Sequence, residues 1–217
     1  MTKTKYETLC NKAKLLAKLE RYTEALSFFD SAIALMPENV CALGMKGALL
    51  SELERHEESN MLFRKVIEID PQDDMAWWII GDNMSKQGKF RESLHYFDKS
   101  LELENDSTTW LSKGDALYHL KRFKEALECF EKGSEISPDD DFLWVLRGNV
   151  HFDLGKYEES KRCLEMAVKI NPSSSEAHFL RAFVEAEQGD KLLAVEFLKK
   201  AIEICPAIKN KSKGAEF

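Results

Sequence analysis

The chain has 217 residues, with 31 Lys and Arg against 38 Asp and Glu for a net charge of −7, and it is 44% hydrophobic and 32% charged. That hydrophobic share supports a packed core and excludes disorder as the main state. No run approaches the roughly 18 apolar residues of a membrane span, so no direct membrane insertion is expected. The acidic balance argues against nucleic acid as a partner, because phosphate binding rests on net basic patches. The N-terminal MTKTKYETLCNKAK holds basic residues but no apolar run, and so reads as no secretory signal. Cys10, Cys41, Cys129, Cys163 and Cys205 are odd in number and contain no CxxC pair. Free thiols in a reducing compartment are expected, and with them a soluble cytoplasmic protein.

The prolines set the organisation. They stand at 37, 71, 138, 172 and 206, with spacings of 34, 67, 34 and 34, and Asn105 occupies the place of the missing one. A period near 34 residues is the mark of stacked helical pairs. The chain divides into repeats 6–39, 40–73, 74–106, 107–140, 141–174 and 175–208, read as one all-α solenoid over 1–208 with a short polar tail at 209–217. In each repeat, apolar residues recur at three- and four-residue spacing, as in Ala25, Leu26, Phe29, Ala32 and Ile33, which predicts helices. Breaks in that stripe predict tight turns, in chain order, at 19–22, 53–56, 87–90, 120–123, 154–157 and 188–191. A proline just after each second helix stops it, having no N–H to donate.

Register positions repeat with the period. Position 8 is small throughout (Ala13, Gly47, Gly81, Gly114, Gly148, Ala182), as is position 20 (Ala25, Ser59, Ser93, Ala126, Ser160, Ala194). Position 27 is small except at Val66. Position 24 is large: Phe29, Phe63, Phe97, Phe130, Leu164, Leu198. Small residues where two helices approach, and large ones to fill between them, describe a helical hairpin. Each buried large side chain contributes roughly 1.5–3 kcal/mol.

These residues resemble the tetratricopeptide repeat family, and the match is clearest at Trp110, Gly114, Ala126, Phe130 and Pro138. Lys12 and Lys46 depart from it at position 7, and the third repeat is one residue short. The resemblance implies a right-handed superhelix whose first helices line a concave groove that binds peptides, helices or other proteins. It implies groove residues at Met75, Trp78, Asp82, Leu111, Asp115, Tyr118, His119, Phe142, Val145, Asn149, Phe152, Phe179 and Phe183. The set is largely apolar and aromatic with aspartates among it. The expected ligand is therefore an apolar or amphipathic peptide or helix with basic edges. Apolar contacts would carry affinity and the acids would set orientation and on-rate. The carboxylate clamp of chaperone-tail receptors finds no fit: Cys10 and Lys14, then Met45, then Met75 and Ile79 stand where its basic and amide groups belong.

No sequence constellation points to catalysis. There is no HExxH, no Cys/His cluster with ligand spacing and no phosphate-binding glycine loop, so neither cofactor nor metal is expected. Asp115 and His119, four apart, read as a surface helix pair rather than an acid–base couple. The run Asp139-Asp140-Asp141 reads as a helix start, where acids suit the dipole. The last second helix, Leu192 to Ile204, is apolar on most of its surface, and IKNKSKGAEF does not read as a capping helix. Solenoid ends need polar cover. The expectation is therefore either continuation in a longer protein or self-association through the C-terminal repeat.

Overall fold

A computed structural model describes residues 2–208, and the tail predicted at 209–217 lies outside the described residues. Every regular element among them is an α-helix: α1 (Thr2–Lys18), α2 (Tyr22–Leu35), α3 (Val40–Glu52), α4 (His56–Ile69), α5 (Asp74–Lys86), α6 (Phe90–Leu103), α7 (Ser107–His119), α8 (Phe123–Ile136), α9 (Asp141–Asp153), α10 (Tyr157–Ile170), α11 (Ser175–Glu187) and α12 (Lys191–Ile204). They divide between Asn105 and Asp106 into two compact units, α1–α6 and α7–α12. In each unit an odd-numbered helix pairs with the next to form a hairpin, and hairpins stack on one another within the unit.

A three-residue turn closes each hairpin, and its middle residue has positive φ: Glu20, Glu54 and Lys121 near 60°, Gly88, Gly155 and Gly189 between 68° and 89°. The residue after it donates back to the last helical turn, as Arg122 N–H does to the Leu117 carbonyl at 2.9 Å. This is the Schellman closure, which satisfies orphaned helix-end carbonyls. Four of the following first helices start on acidic or amide caps. Asn39, Asp73, Asp106 and Asp140 accept from the N–H groups of Cys41, Ala76, Thr109 and Phe142. The acidic run at 139–141 is thus a helix start, as its position suggests.

Packing inside the hairpins follows the register. The residues at positions 8, 20 and 27 are buried in all six hairpins. A Cβ added to Gly81 would lie 2.7 Å from the Phe97 ring, and Gly47 and Gly114 face Phe63 and Phe130 in the same way. The ring of position 24 therefore occupies the space that glycine leaves. In the first unit Phe63, Val66, Ala76 and Ile80 form one core cluster, while Ala13, Ala25, Phe29 and Leu49 form another. Asn83, fully buried on α5, accepts from Ser51 Oγ at 2.5 Å and donates to Ser59 Oγ at 3.0 Å and Asn60 Oδ1 at 2.8 Å. That knot ties α3, α4 and α5 with its polar groups satisfied. All five cysteines are free.

Candidate interaction surfaces

In the second unit, α7, α9 and α11 are neighbours. One-repeat spacing along them brings position 12 of one first helix against positions 9 and 13 of the next. Tyr118 on α7 shows the result: its hydroxyl donates to Asp153 Oδ2 on α9 at 2.6 Å. Burial, then the hydrogen bond and negative charge of Asp153, push its phenol up to about 12, with Asn149 working in the opposite direction. Its ring also lies 5.7 Å from that of Phe123. Asp115, one turn back, has its carboxyl raised above the usual range by burial, partly offset by His119. Its Oδ2 stands 3.6 Å from His119 Nε2, a half-exposed pair on one helix.

Around these polar groups the surface is aromatic. Phe142 is 45% exposed at the start of α9. Phe152, half-buried, lies 5.7 Å from the Tyr157 ring, and Phe179 meets Phe183 edge-to-face at 4.9 Å on α11. Leu111 and Asn149 are half-buried. Val145 is different. It is only 6% exposed and packs with Leu164, Ala177 and Val184, so it serves the core and not a ligand-facing surface. Its small β-branched side chain sits where α9 meets both α10 and α11, a placement that its register position alone does not reveal.

The first unit holds the other three expected residues. Met75 is 59% exposed, Trp78 is half-buried, and Asp82 is engaged by Lys86 at 2.7 Å along α5. A feature that register reasoning passed over lies between α1 and α3. There a hollow of about 590 Å³ opens, walled by Lys14, Ala17, Lys18, Tyr22, Met45, Ala48, Leu49 and Glu52 among others. The signal was in the sequence: Ala17 and Ala48 are the smallest pair at these register positions. Among the described residues no group of three His, Cys, Asp or Glu could hold a metal ion, and no helix is long and apolar enough to cross a membrane.

Family models described as tetratricopeptide repeat match residues 6–39, 42–73, 107–140 and 145–207. No curated protein matches the sequence. Among solved structures, the chain is similar to YrrB, described as a TPR protein with an unusual peptide-binding site. Identity is 22%, coverage is 85% of this chain and 97% of that one, and the TM-score is 0.65. It is similar to MamA from Desulfovibrio magneticus RS-1 (20% identity, 81% and 97% covered, TM-score 0.69). It is also similar to pilF of Pseudomonas aeruginosa (11% identity, 94% of each chain, TM-score 0.76). Six helical hairpins with this register, and repeat matches along most of the sequence, place the chain in the tetratricopeptide repeat family.

Proposed function

We propose that the protein is a cytoplasmic, non-enzymatic interaction scaffold that binds an apolar or amphipathic peptide or helix with basic edges. The groove residues lie on the first-helix face of the second unit and, taken separately, at Met75, Trp78 and Asp82 on α5 of the first. The observation that carries the reading is the company Asp115 and Asp153 keep: acids set among Tyr118, Phe142, Phe152, Phe179 and Phe183 on neighbouring helices. Exposed apolar patches rimmed by polar groups mark interaction surfaces. Aromatic anchors supply most of the affinity in such interfaces, and charges supply orientation and on-rate. That YrrB carries a peptide-binding site on the same fold accords with it.

The test uses a fluorescent amphipathic helical peptide with a leucine face and arginine edges. Phe142→Ala/Phe179→Ala should weaken binding at least about tenfold, or about 1.4 kcal/mol, with helicity unchanged by circular dichroism. Raising salt should slow association. Equal affinity of the folded double variant and the wild type would remove the site from this face.

A second reading is self-association through α12, where Leu192 is 88% exposed and Val195 and Ile204 are also exposed. Sedimentation equilibrium of wild type against Leu192→Lys tests it. A wild type that stays monomeric at high concentration dismisses this reading.

A further inference from the structure

The register shared by the two units exposes a site that the reading above does not use. In the second unit Tyr118 (position 12 of α7) fills the space against α9 and meets Asn149 and Asp153, at positions 9 and 13. The matching triplet in the first unit is Ala17 on α1 with Ala48 and Glu52 on α3. An aromatic ring and an amide are thereby replaced by two methyl groups, while the carboxylate is kept. The hollow between α1 and α3 has these three residues in its wall. It is the place of a missing tyrosine, with the hydroxyl's acceptor still present.

Its rim has a definite charge. Lys14 and Lys18, one turn apart on α1, are exposed at the edge of the hollow, and among the described residues neither is held in an ion pair. Lys3, Lys5 and Lys12 lie on the same helix, whose acidic residue is Glu7. A basic ligand would be repelled here. An aliphatic side chain would fill the space but make no use of the Glu52 carboxylate, which stands exposed at the edge of the hollow where Asp153 stands beside Tyr118. A tyrosine between acidic residues answers both demands.

We propose that the hollow between α1 and α3 receives the tyrosine side chain of an acidic segment of a partner protein. The ring takes the place that Tyr118 fills in the second unit, its hydroxyl donates to Glu52, and the flanking carboxylates meet Lys14 and Lys18. The surface is of opposite charge to the acidic face of α7 and α9, so it selects a different segment from the basic-edged one proposed above.

The experiment uses the full chain and a fluorescein-labelled twelve-residue peptide with one central tyrosine between Asp and Glu residues. Anisotropy should show binding, weakened at least tenfold when the tyrosine is replaced by alanine or the acids by lysines. Ala17→Tyr rebuilds the second unit's arrangement inside the first and should abolish binding, with circular dichroism and Tm close to wild type. Ala48→Leu fills the same space should the first variant fail to fold. Lys14→Glu/Lys18→Glu should weaken binding tenfold or more. Asp115→Asn/Asp153→Asn should leave this peptide's affinity unchanged while weakening the arginine-edged probe, so failure of one site is separable from failure of the other. The proposal is overturned by no binding of the acidic peptide, by equal binding of the lysine version, or by unchanged affinity in a folded, filled variant.

Discussion

The hairpins α9–α10 and α11–α12 share one backbone register, yet their inner stripes behave differently. On α11 the residues at positions 4, 7 and 11 are His178, Arg181 and Glu185. His178 Nε2 meets the Pro172 carbonyl at 3.1 Å. Arg181 Nε donates to Glu185 at 2.6 Å and Nη1 to Glu165 at 3.1 Å, while Lys161 reaches Glu185 at 3.1 Å. On α9 the same positions hold Trp144, Arg147 and His151. Here Trp144 Nε1, Arg147 Nε and His151 Nδ1 are buried and unpaired among the described residues, and Arg147 instead lies over the Trp144 ring at 4.6 Å. Glutamate at position 11 gives Arg181 and Lys161 an acceptor that His151 does not give Arg147, and Leu127 stands where Lys161 does in the preceding repeat; on α11 the nitrogen left unpaired is His178 Nδ1. The repeat thus dictates where a side chain points, while the residues at a few facing positions decide whether its neighbours are satisfied.

Breaking the closed network should have the largest effect. Glu185 is 2% exposed and serves two cations. Glu185→Gln keeps its shape but removes its charge, leaving Arg181 and Lys161 under-compensated, and one-sided removal from a buried pair costs about 3 kcal/mol or more. The urea midpoint should fall accordingly. A loss below about 0.5 kcal/mol would put the network on the level of surface ion pairs.

The converse substitution, His151→Glu, supplies α9 with the position-11 carboxylate of α11 and gives Arg147 Nε an acceptor. A gain of about 1 kcal/mol is expected at neutral pH, within the range of a charge-assisted hydrogen bond, and it should widen as pH falls. Burial holds the His151 imidazole below its usual pKa, with Arg147 and Lys156 adding to the shift and Glu159 opposing it. A histidine with a depressed folded pKa contributes no penalty above its unfolded value near 6.5. Below that value the unfolded chain takes up a proton that the folded chain resists, so stability is lost as pH drops. The variant lacks that loss. Thermal melts at pH 7.5 and 5.5 should therefore show a larger Tm difference at the lower pH. An unchanged difference would mean His151 protonates in place without cost.

What could be read from the sequence divides along the same line. Positions 8, 20 and 27 were legible because a backbone approach admits only small residues, and Phe97 against Gly81 shows the steric reason. Turn positions were legible because the apolar stripe breaks there, although Glu20, Glu54 and Lys121 adopt the positive φ that glycine adopts elsewhere. The expected site was less legible. Val145 and Phe179 share position 5, yet only Val145 is buried, because burial there depends on how three helices meet. The pairing of Asp82 with Lys86 follows the same four-residue spacing as Asp115 with His119, whereas that of Tyr118 with Asp153 depends on how two helices meet, which spacing along one helix does not carry. The hollow beside Ala17 and Ala48 is marked in the sequence only by two small residues at register positions that are larger in most other repeats, a fainter sign than a conspicuous side chain.

The smallest effect separates the two hairpins at position 8, where α9 has Gly148 and α11 has Ala182. Gly148→Ala should gain up to about 1 kcal/mol in helix propensity. The new Cβ would meet Leu164 Cδ2 and Cγ at 3.1 Å, a tight contact but with a side chain that can rotate a methyl group aside. Gain and crowding nearly cancel, so the variant should lie within about 0.5 kcal/mol of wild type, against overpacking costs of about 1–3 kcal/mol in cores that cannot adjust. A loss in that larger range would show that Leu164 is locked by Ala167 and Ala177 around it. The glycine would then be a requirement of the α9–α10 packing, and the difference from Ala182 would reflect two distinct hairpin geometries within one register.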